Sequence, residues 1–392
     1  MDFSPTAAQR ALCRSVAEAC ARFDDDYWYA KDQSGEFPVE LHRAMAELGV
    51  LGVAMPQAYG GSGLGVVEAA LVMHEVARSP GAMSAASAIH INIFGPQPIV
   101  EHGTDEQKRR FLPDLIAGRV QTCFGVTEPD AGLDTSAITT RAEGVDGGYL
   151  VHGRKIWTTT AQEAEKILLL ARTESRESIA ARGGKRTEGL SLFYADLDRS
   201  KVTVREIPKM GRAAVDSNEV FLDGLFVPVG DRIGEEGAGF RCLLSGLNPE
   251  RVLVGIEAVG VGRNALQRAA TYARERVVFG RPIGQNQAIQ HPLAESWMEL
   301  EAAFLMCLRA AVLYDQGQPC GAEANAAKYL GAEAGFRACT RAVMTHGGMG
   351  YAKEMHVERL LREVLIARLA PVSQQLALCH IAENALGLPK SY

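Results

Sequence analysis

The sequence predicts an α+β chain in three consecutive parts: an N-terminal helical domain over 1–120, a middle β-domain over 121–238 and a C-terminal four-helix bundle over 239–392. Three observations predict it. Apolar residues recur at helical spacing to about position 118, short runs of Val, Ile, Leu, Thr and aromatic residues between turn signals follow, and long segments rich in Ala, Leu, Glu and Arg close the chain. At 392 residues, 47% hydrophobic and 22% charged, the chain is long enough for two or three packed domains without a disulfide or metal to hold them.

In the first part, Leu41, Met45, Leu48 and Leu51 mark one helical face, and the Gly/Pro cluster from Pro56 to Gly65 interrupts it. Thr104 with Gln107 reads as a capping box for a helix running through Phe111. In the second part, Asp146-Gly147-Gly148 reads as a hairpin turn. Ile167–Leu170 is apolar enough for a strand buried on both faces, and Leu190–Tyr194, Val202–Ile207 and Val220–Leu225 continue the series. The charged stretch Glu174–Glu188, with Gly183-Gly184, reads as an exposed loop between strands. In the third part the helical segments are Pro249–Val278, Ala288–Gln316, Ala322–Met344 and Val357–Leu386.

Composition excludes several functions. A net charge of −6 gives no global basic field for nucleic acid or anionic lipid, so an anionic ligand must be held by local pockets. The eight cysteines are scattered without a CxxC pair or a Cys/His ligand spacing, which suits reduced thiols and argues against a metal centre. No leader pattern opens the chain and no run reaches the roughly 18 apolar residues of a membrane span, so the expected location is the cytoplasm, with no membrane partner.

Five segments carry the chemistry: CFGVTEPDAG (Cys123–Gly132), GRKIWTTT (Gly153–Thr160), the run from Met210 to Phe240, RERVVFGRPIGQNQAIQ (Arg274–Gln290) and THGGMGYAKEMHVERLLRE (Thr345–Glu363). Their order and spacing resemble the acyl-CoA dehydrogenase family along essentially the whole chain, and that family's fold has the same helical, β and helical order. The resemblance implies FAD. Phe124 and the Val126-Thr127-Glu128 turn would then satisfy the isoalloxazine acceptors, Trp157 would cover a ring face, and Thr158 and Thr159 would lie beside the reactive nitrogen. Arg276 offers a forked cation for the pyrophosphate, with Phe279 and Gln287 close by in the motif, and Gly347-Gly348 permits close backbone approach. Ser373 and Gln375 match further flavin-contacting positions, while Met344 stands where the family usually has Gln. In the family the Arg276 and Gly347 segments reach a neighbouring subunit's flavin, which implies a homo-oligomer, usually a dimer of dimers. No Cys or His stands where the resemblance would place covalent attachment, so the expected FAD is noncovalent.

Dehydrogenation of a thioester needs a carboxylate for the α-proton and donors for the enolate-like oxygen. Most of the family carries the base in a Y-E-G-T run, but here that place reads LAPVSQQ with Pro371 at the base position, and proline also lacks the N–H that holds the thioester carbonyl. A minority, similar to isovaleryl-CoA and long-chain acyl-CoA dehydrogenases, carries the base in an L-x-x-E-R run, which Leu247-Asn248-Pro249-Glu250-Arg251 matches. Glu250 is therefore the candidate base, with Asn248 and Arg251 beside the substrate. Asn248-Pro249 also reads as a helix cap and first turn, which would make Glu250 an ordinary acid at a helix start with its pKa lowered by the dipole. Leu133 replaces a Ser common at the family's thioester contact.

The resemblance thus implies oxidation of an acyl-CoA to the 2-enoyl-CoA, with electrons passed to an electron-transfer flavoprotein. Two alternatives stay open: a same-fold flavoenzyme acting on a carrier-protein thioester or using oxygen as an oxidase or monooxygenase, and a non-catalytic scaffold.

Overall fold

The computed structural model describes residues 4–391. Seven helices form the first part: α1 (Ala7–Cys20), α2 (Asp25–Ser34), α3 (Val39–Glu47), α4 (Val66–Arg78), α5 (Ala82–Phe94), α6 (Gln97–His102) and α7 (Asp105–Ile116). The capping box at α7 is present in both directions: the Thr104 hydroxyl accepts from the Gln107 N–H, and the Gln107 side chain accepts from the Thr104 N–H. Leu41, Met45 and Leu51 are buried as their spacing predicts, whereas Leu48 lies beyond the end of α3 and is exposed.

The second part is an eight-stranded sheet: β1 (Thr122–Gly125), β2 (Arg141–Val145), β3 (Gly148–Thr159), β4 (Lys166–Arg172), β5 (Leu190–Asp196), β6 (Val202–Glu206), β7 (Ser217–Pro228) and β8 (Arg232–Ile233). The order is β6-β7-β3-β2-β4-β5-β8, with β1 pairing parallel to β4. The β2–β3 hairpin turns at Asp146-Gly147, where Gly147 takes φ 76°, the left-handed conformation such a turn requires. Alternation explains why β4 and β5 are apolar at nearly every position: Leu168, Leu170, Leu192 and Tyr194 pack on Phe111 and Leu115 of α7, while Ile167, Leu169 and Phe193 pack on Val151 and Val220. The Glu174–Glu188 segment is not wholly loop. It contains a short helix, α8 (Arg176–Ala181), started by the Ser175 hydroxyl accepting from the Ser178 N–H.

The third part has three long helices, α9 (Gly239–Glu275), α10 (Gln287–Asp315) and α11 (Gly321–His346), with a hairpin of β9 (Val277–Val278) and β10 (Arg281–Pro282) between the first two. Two sequence expectations are corrected. The first long helix begins at Gly239, ten residues before Pro249, so Asn248 and Pro249 lie inside it and cap nothing. The fourth helix is broken into α12 (Val357–Val364), α13 (Ile366–Leu369) and α14 (Gln374–Asn384), interrupted at Ala370-Pro371, where a proline cannot continue the ladder. α9 and α11 cross closely enough that a Cβ on Gly331 would stand 2.2 Å from the Gly255 carbonyl oxygen, which accounts for the small residues at the crossing. Among the described residues no single helix is long and apolar enough to cross a membrane.

Candidate active site

Two strand ends and one helix build the site. The β1 end delivers Phe124 and leads into Val126-Thr127-Glu128; the β3 end delivers Trp157, Thr158 and Thr159. They are joined by the Ile156 N–H donating to the Thr127 carbonyl at 2.9 Å. Beneath them lies a buried ion pair that the sequence reading missed. Lys155 Nζ, fully buried, donates to Glu128 Oε1 at 2.9 Å and to the Val126 carbonyl at 3.1 Å. The same carboxylate accepts from the Thr139 N–H and hydroxyl and from the Thr140 N–H. Burial pushes the Glu128 carboxyl up, but Lys155 and the threonine bonds outweigh it and hold it at about 2. Both residues lie within the CFGVTEPDAG and GRKIWTTT segments, and the signal available was one acid and one base of opposite charge in the two segments read as one site. Glu128 is thus an internal tie rather than a flavin contact, since its N–H also donates to Ala131.

The tie shapes what the face presents. The β3–β7 register shifts between Lys155 and Thr158, and Trp157 takes φ 60° inside that irregularity, turning its indole outward to 56% exposure. Thr159 is partly buried next to it, and the hydroxyls of Thr127 and Thr159 have no partner among the described residues. Thr158, by contrast, is fully buried with its carbonyl accepting from Asn218, so its side chain lies behind this face rather than on it. An exposed indole flanked by unpartnered donors fits a planar, acceptor-rich ring such as isoalloxazine.

Glu250 lies in the fourth turn of α9, partly buried, with Phe94, Phe124, Leu243, Gly246 and Leu247 forming an apolar groove one turn before it. The expected lowering by a helix dipole is overturned. Burial raises the carboxyl to about 7, with Glu257 adding to the rise and His90 and Arg251 opposing it. Arg251 Nη1 donates to Asn248 Oδ1 at 2.9 Å, while its buried Nε has no partner, a donor left for a ligand. Asn248 is further held by a long contact of its Nδ2 to Cys320 Sγ at 3.7 Å. Leu133 is exposed on the loop after the Glu128 turn, and nothing joins it to Glu250.

The remaining predicted residues gather elsewhere. Arg276 ends α9, Phe279 tops the β9–β10 hairpin in full exposure, Gln287 opens α10, and Met344, Gly347 and Gly348 close α11, all exposed. Tyr272 stacked on His346 at 4.3 Å holds the ends of α9 and α11 together. Along α9 the separation of Glu250 from Arg276 is roughly 39 Å, further than one dinucleotide spans. Ser373 caps α14, its hydroxyl accepting from the Leu376 N–H, and Gln375 is exposed, while its neighbour Gln374 is buried against Lys328. Lys328 Nζ also donates to the Val372 carbonyl at 2.6 Å, fixing the segment that follows Pro371.

Comparison with known proteins identifies the family. The chain matches the models for the acyl-CoA dehydrogenase N-terminal domain over residues 6–119, middle domain over 123–225 and C-terminal domain over 237–386. It is 37% identical to acyl-CoA dehydrogenase FadE12 of Mycobacterium tuberculosis, covering 100% of this chain and 99% of that protein. It is 39% identical to benzylmalonyl-CoA dehydrogenase of Aromatoleum aromaticum, covering 93% and 94%. The structure of a glutaryl-coenzyme A dehydrogenase in complex with glutaryl-CoA superposes with a TM-score of 0.94 at 30% identity, covering 100% of this chain and 98% of that one.

Proposed function

The chain belongs to the acyl-CoA dehydrogenase family and is an FAD-dependent oxidoreductase, and from that premise we propose that Glu250 removes the α-proton of an acyl-CoA as it becomes the 2-enoyl-CoA. The observation that carries this reading is the position of Glu250 in mid-helix beside an apolar groove, where burial holds its carboxyl near 7, matched to accepting a proton at neutral pH. Bound FAD would supply the acceptor for the β-hydride. The exposed Trp157 would pack a ring face, the unpartnered Thr127 and Thr159 hydroxyls would donate to ring acceptors, and Arg251 Nε, without a partner among the described residues, would donate to the thioester substrate. With Pro371 unable to donate, the Val372 N–H is the first amide in that segment able to stabilise the developing enolate oxygen, and Lys328 positions it. The exposed Arg276 set serves the flavin of another copy, so the working unit is a homo-oligomer, and an electron-transfer flavoprotein reoxidises it.

Pro371 also supports a second reading, a carrier-protein thioester as substrate or oxygen as oxidant. Anaerobic titration of the purified yellow protein with acyl-CoA esters separates the two. Bleaching without oxygen supports dehydrogenation of the CoA ester; colour that persists against every ester, with turnover only in air or on a carrier-protein thioester, overturns it. Denaturation should release free FAD, and colour retained on the precipitated chain would contradict noncovalent binding.

A further inference from the structure

Beyond Glu250 the inner face of α9 carries a second buried acid. Seven residues on, and therefore on the same face of α9 about 10 Å deeper, stands Glu257, 2% exposed. Its Oε1 lies 2.6 Å from Nδ1 of His90; burial disfavours the charged imidazole, but the charge of Glu257, with Glu250 adding to it, outweighs burial and raises the His90 pKa. His90 lies on α5, its ring tilted against Phe94 at 4.7 Å, and Phe94 reaches Phe124 at 5.7 Å, so the same helix face lines the groove and the deeper pair. One turn back on α5, Ser87 Oγ accepts from Arg212 Nη1 at 3.0 Å. Arg212 comes from the loop between β6 and β7 in the left-handed conformation, φ 58°.

Arg212 is the group at this end left without a partner carboxylate among the described residues. Arg212 makes no ion pair among the described residues, although Glu363, Glu257 and Asp216 all face it. Glu363 already accepts from the Ser84 N–H and hydroxyl and pairs with Arg359 at 3.2 Å. Asp216 accepts from the Gln162 N–H and from Asn218, and Lys209 faces it as well. Glu257 is taken by His90. A guanidinium has five N–H donors, and here only one bond is made to the chain. A guanidinium with four of its five donors unmatched by the described residues, where a purely aliphatic chain would find an apolar wall cheaper, calls for an anionic partner.

We propose that Arg212 and His90 form a subsite for an anionic group at the far end of the acyl chain, so that the preferred substrate is the CoA monothioester of a dicarboxylic acid. The proposal rests on the dehydrogenase reading above and adds its substrate class. Arg212 supplies the forked donor that a carboxylate accepts, and Glu257 holds His90 in place.

The test compares the CoA monothioesters of succinic, glutaric, adipic and pimelic acids with the methyl-terminated acyl-CoA of the same carbon number, by Kd and by rate of anaerobic flavin reduction. The wild-type protein should favour the carboxylate-ended member of at least one pair by about 10–100-fold, mainly in Kd. Arg212→Gln, in protein of unchanged FAD content and Tm, should collapse that ratio toward one, and Arg212→Lys should restore part of it. A wild-type ratio at or below one for every pair overturns the subsite, as does a ratio that survives Arg212→Gln. Should Arg212→Gln fail to fold, the wild-type ratio decides alone. If neither class of ester reduces the flavin, the dehydrogenase reading falls and this inference with it; if only the methyl-terminated esters do, the dehydrogenase reading stands and the subsite is wrong.

Discussion

The face around Trp157 and the end of α9 around Arg276 are both proposed to meet one kind of cofactor, yet they are built in opposite ways. The first is finished within the chain: a buried Lys155–Glu128 pair fixes two strand ends, and a register shift turns one indole outward. The second is a set of exposed side chains, with Phe279 wholly free of its own subunit and Met344 74% exposed. A site completed internally needs buried polar ties, whereas one completed by another copy needs surface left open. Each half can therefore be broken separately.

The largest effect is expected where the chemistry sits. Glu250→Gln keeps the side chain's size and should leave FAD content unchanged while slowing anaerobic flavin reduction by roughly 10²–10⁴-fold. In the wild type, since the carboxyl titrates near 7, the reduction rate should rise about tenfold per pH unit below about pH 6 and level off above about pH 8. A pH-independent rate, or rapid reduction by the variant, would remove Glu250 as the base.

Lys155→Met tests the internal half. Removing one partner of a fully buried pair leaves the Glu128 carboxylate uncompensated, at about 3–5 kcal/mol of stability by denaturant titration. Loss of less than about 1 kcal/mol would mean the tie is incidental.

The contrast between the two halves also shows what was legible in advance. Helix and strand periods marked the three parts and most strands because burial imposes those periods directly, and the α7 capping box was readable from two residues. The start of α9 was misplaced because Asn248-Pro249 carries the local signature of a cap, and tertiary packing on α4 and α11 overrode it. That error placed Glu250 beside a helix dipole that would lower its carboxyl, whereas inside α9 burial raises it. His90, Glu257 and Arg212 went unread because they are distant in sequence and meet only through the packing of α5, α9 and a loop. The break in the fourth helix was signalled by Pro371, whose missing N–H matters to the helix ladder as much as to the thioester.

Arg276→Ala tests the external half. The residue ends α9 in full view of solvent, so the variant's own fold should be unchanged, with Tm of the apo-protein as the check. A charge-assisted contact to pyrophosphate is worth roughly 1.5–3 kcal/mol, so FAD should bind about 10–150-fold more weakly and the oligomer should loosen with it by sedimentation. A monomer that holds FAD at full strength would show that each chain completes its own site.

The smallest effect concerns Met344, which sits where the family usually places a Gln. Its side chain is 74% exposed at the end of α11 beside Gly347 and Gly348, so Met344→Gln removes no packing and adds one amide. If the exposed set does meet a neighbour's flavin, that amide gains a hydrogen bond worth about 0.5–1.5 kcal/mol, and FAD should bind about 2–12-fold more tightly. The gain should vanish in Arg276→Ala, because loosening the shared face removes the acceptor that the new amide would reach. If instead the position faces only water, the amide exchanges one solvent contact for another and FAD affinity stays constant in both backgrounds. A gain that persists undiminished without Arg276 would place the residue on its own chain's cofactor and erase the contrast between the two halves.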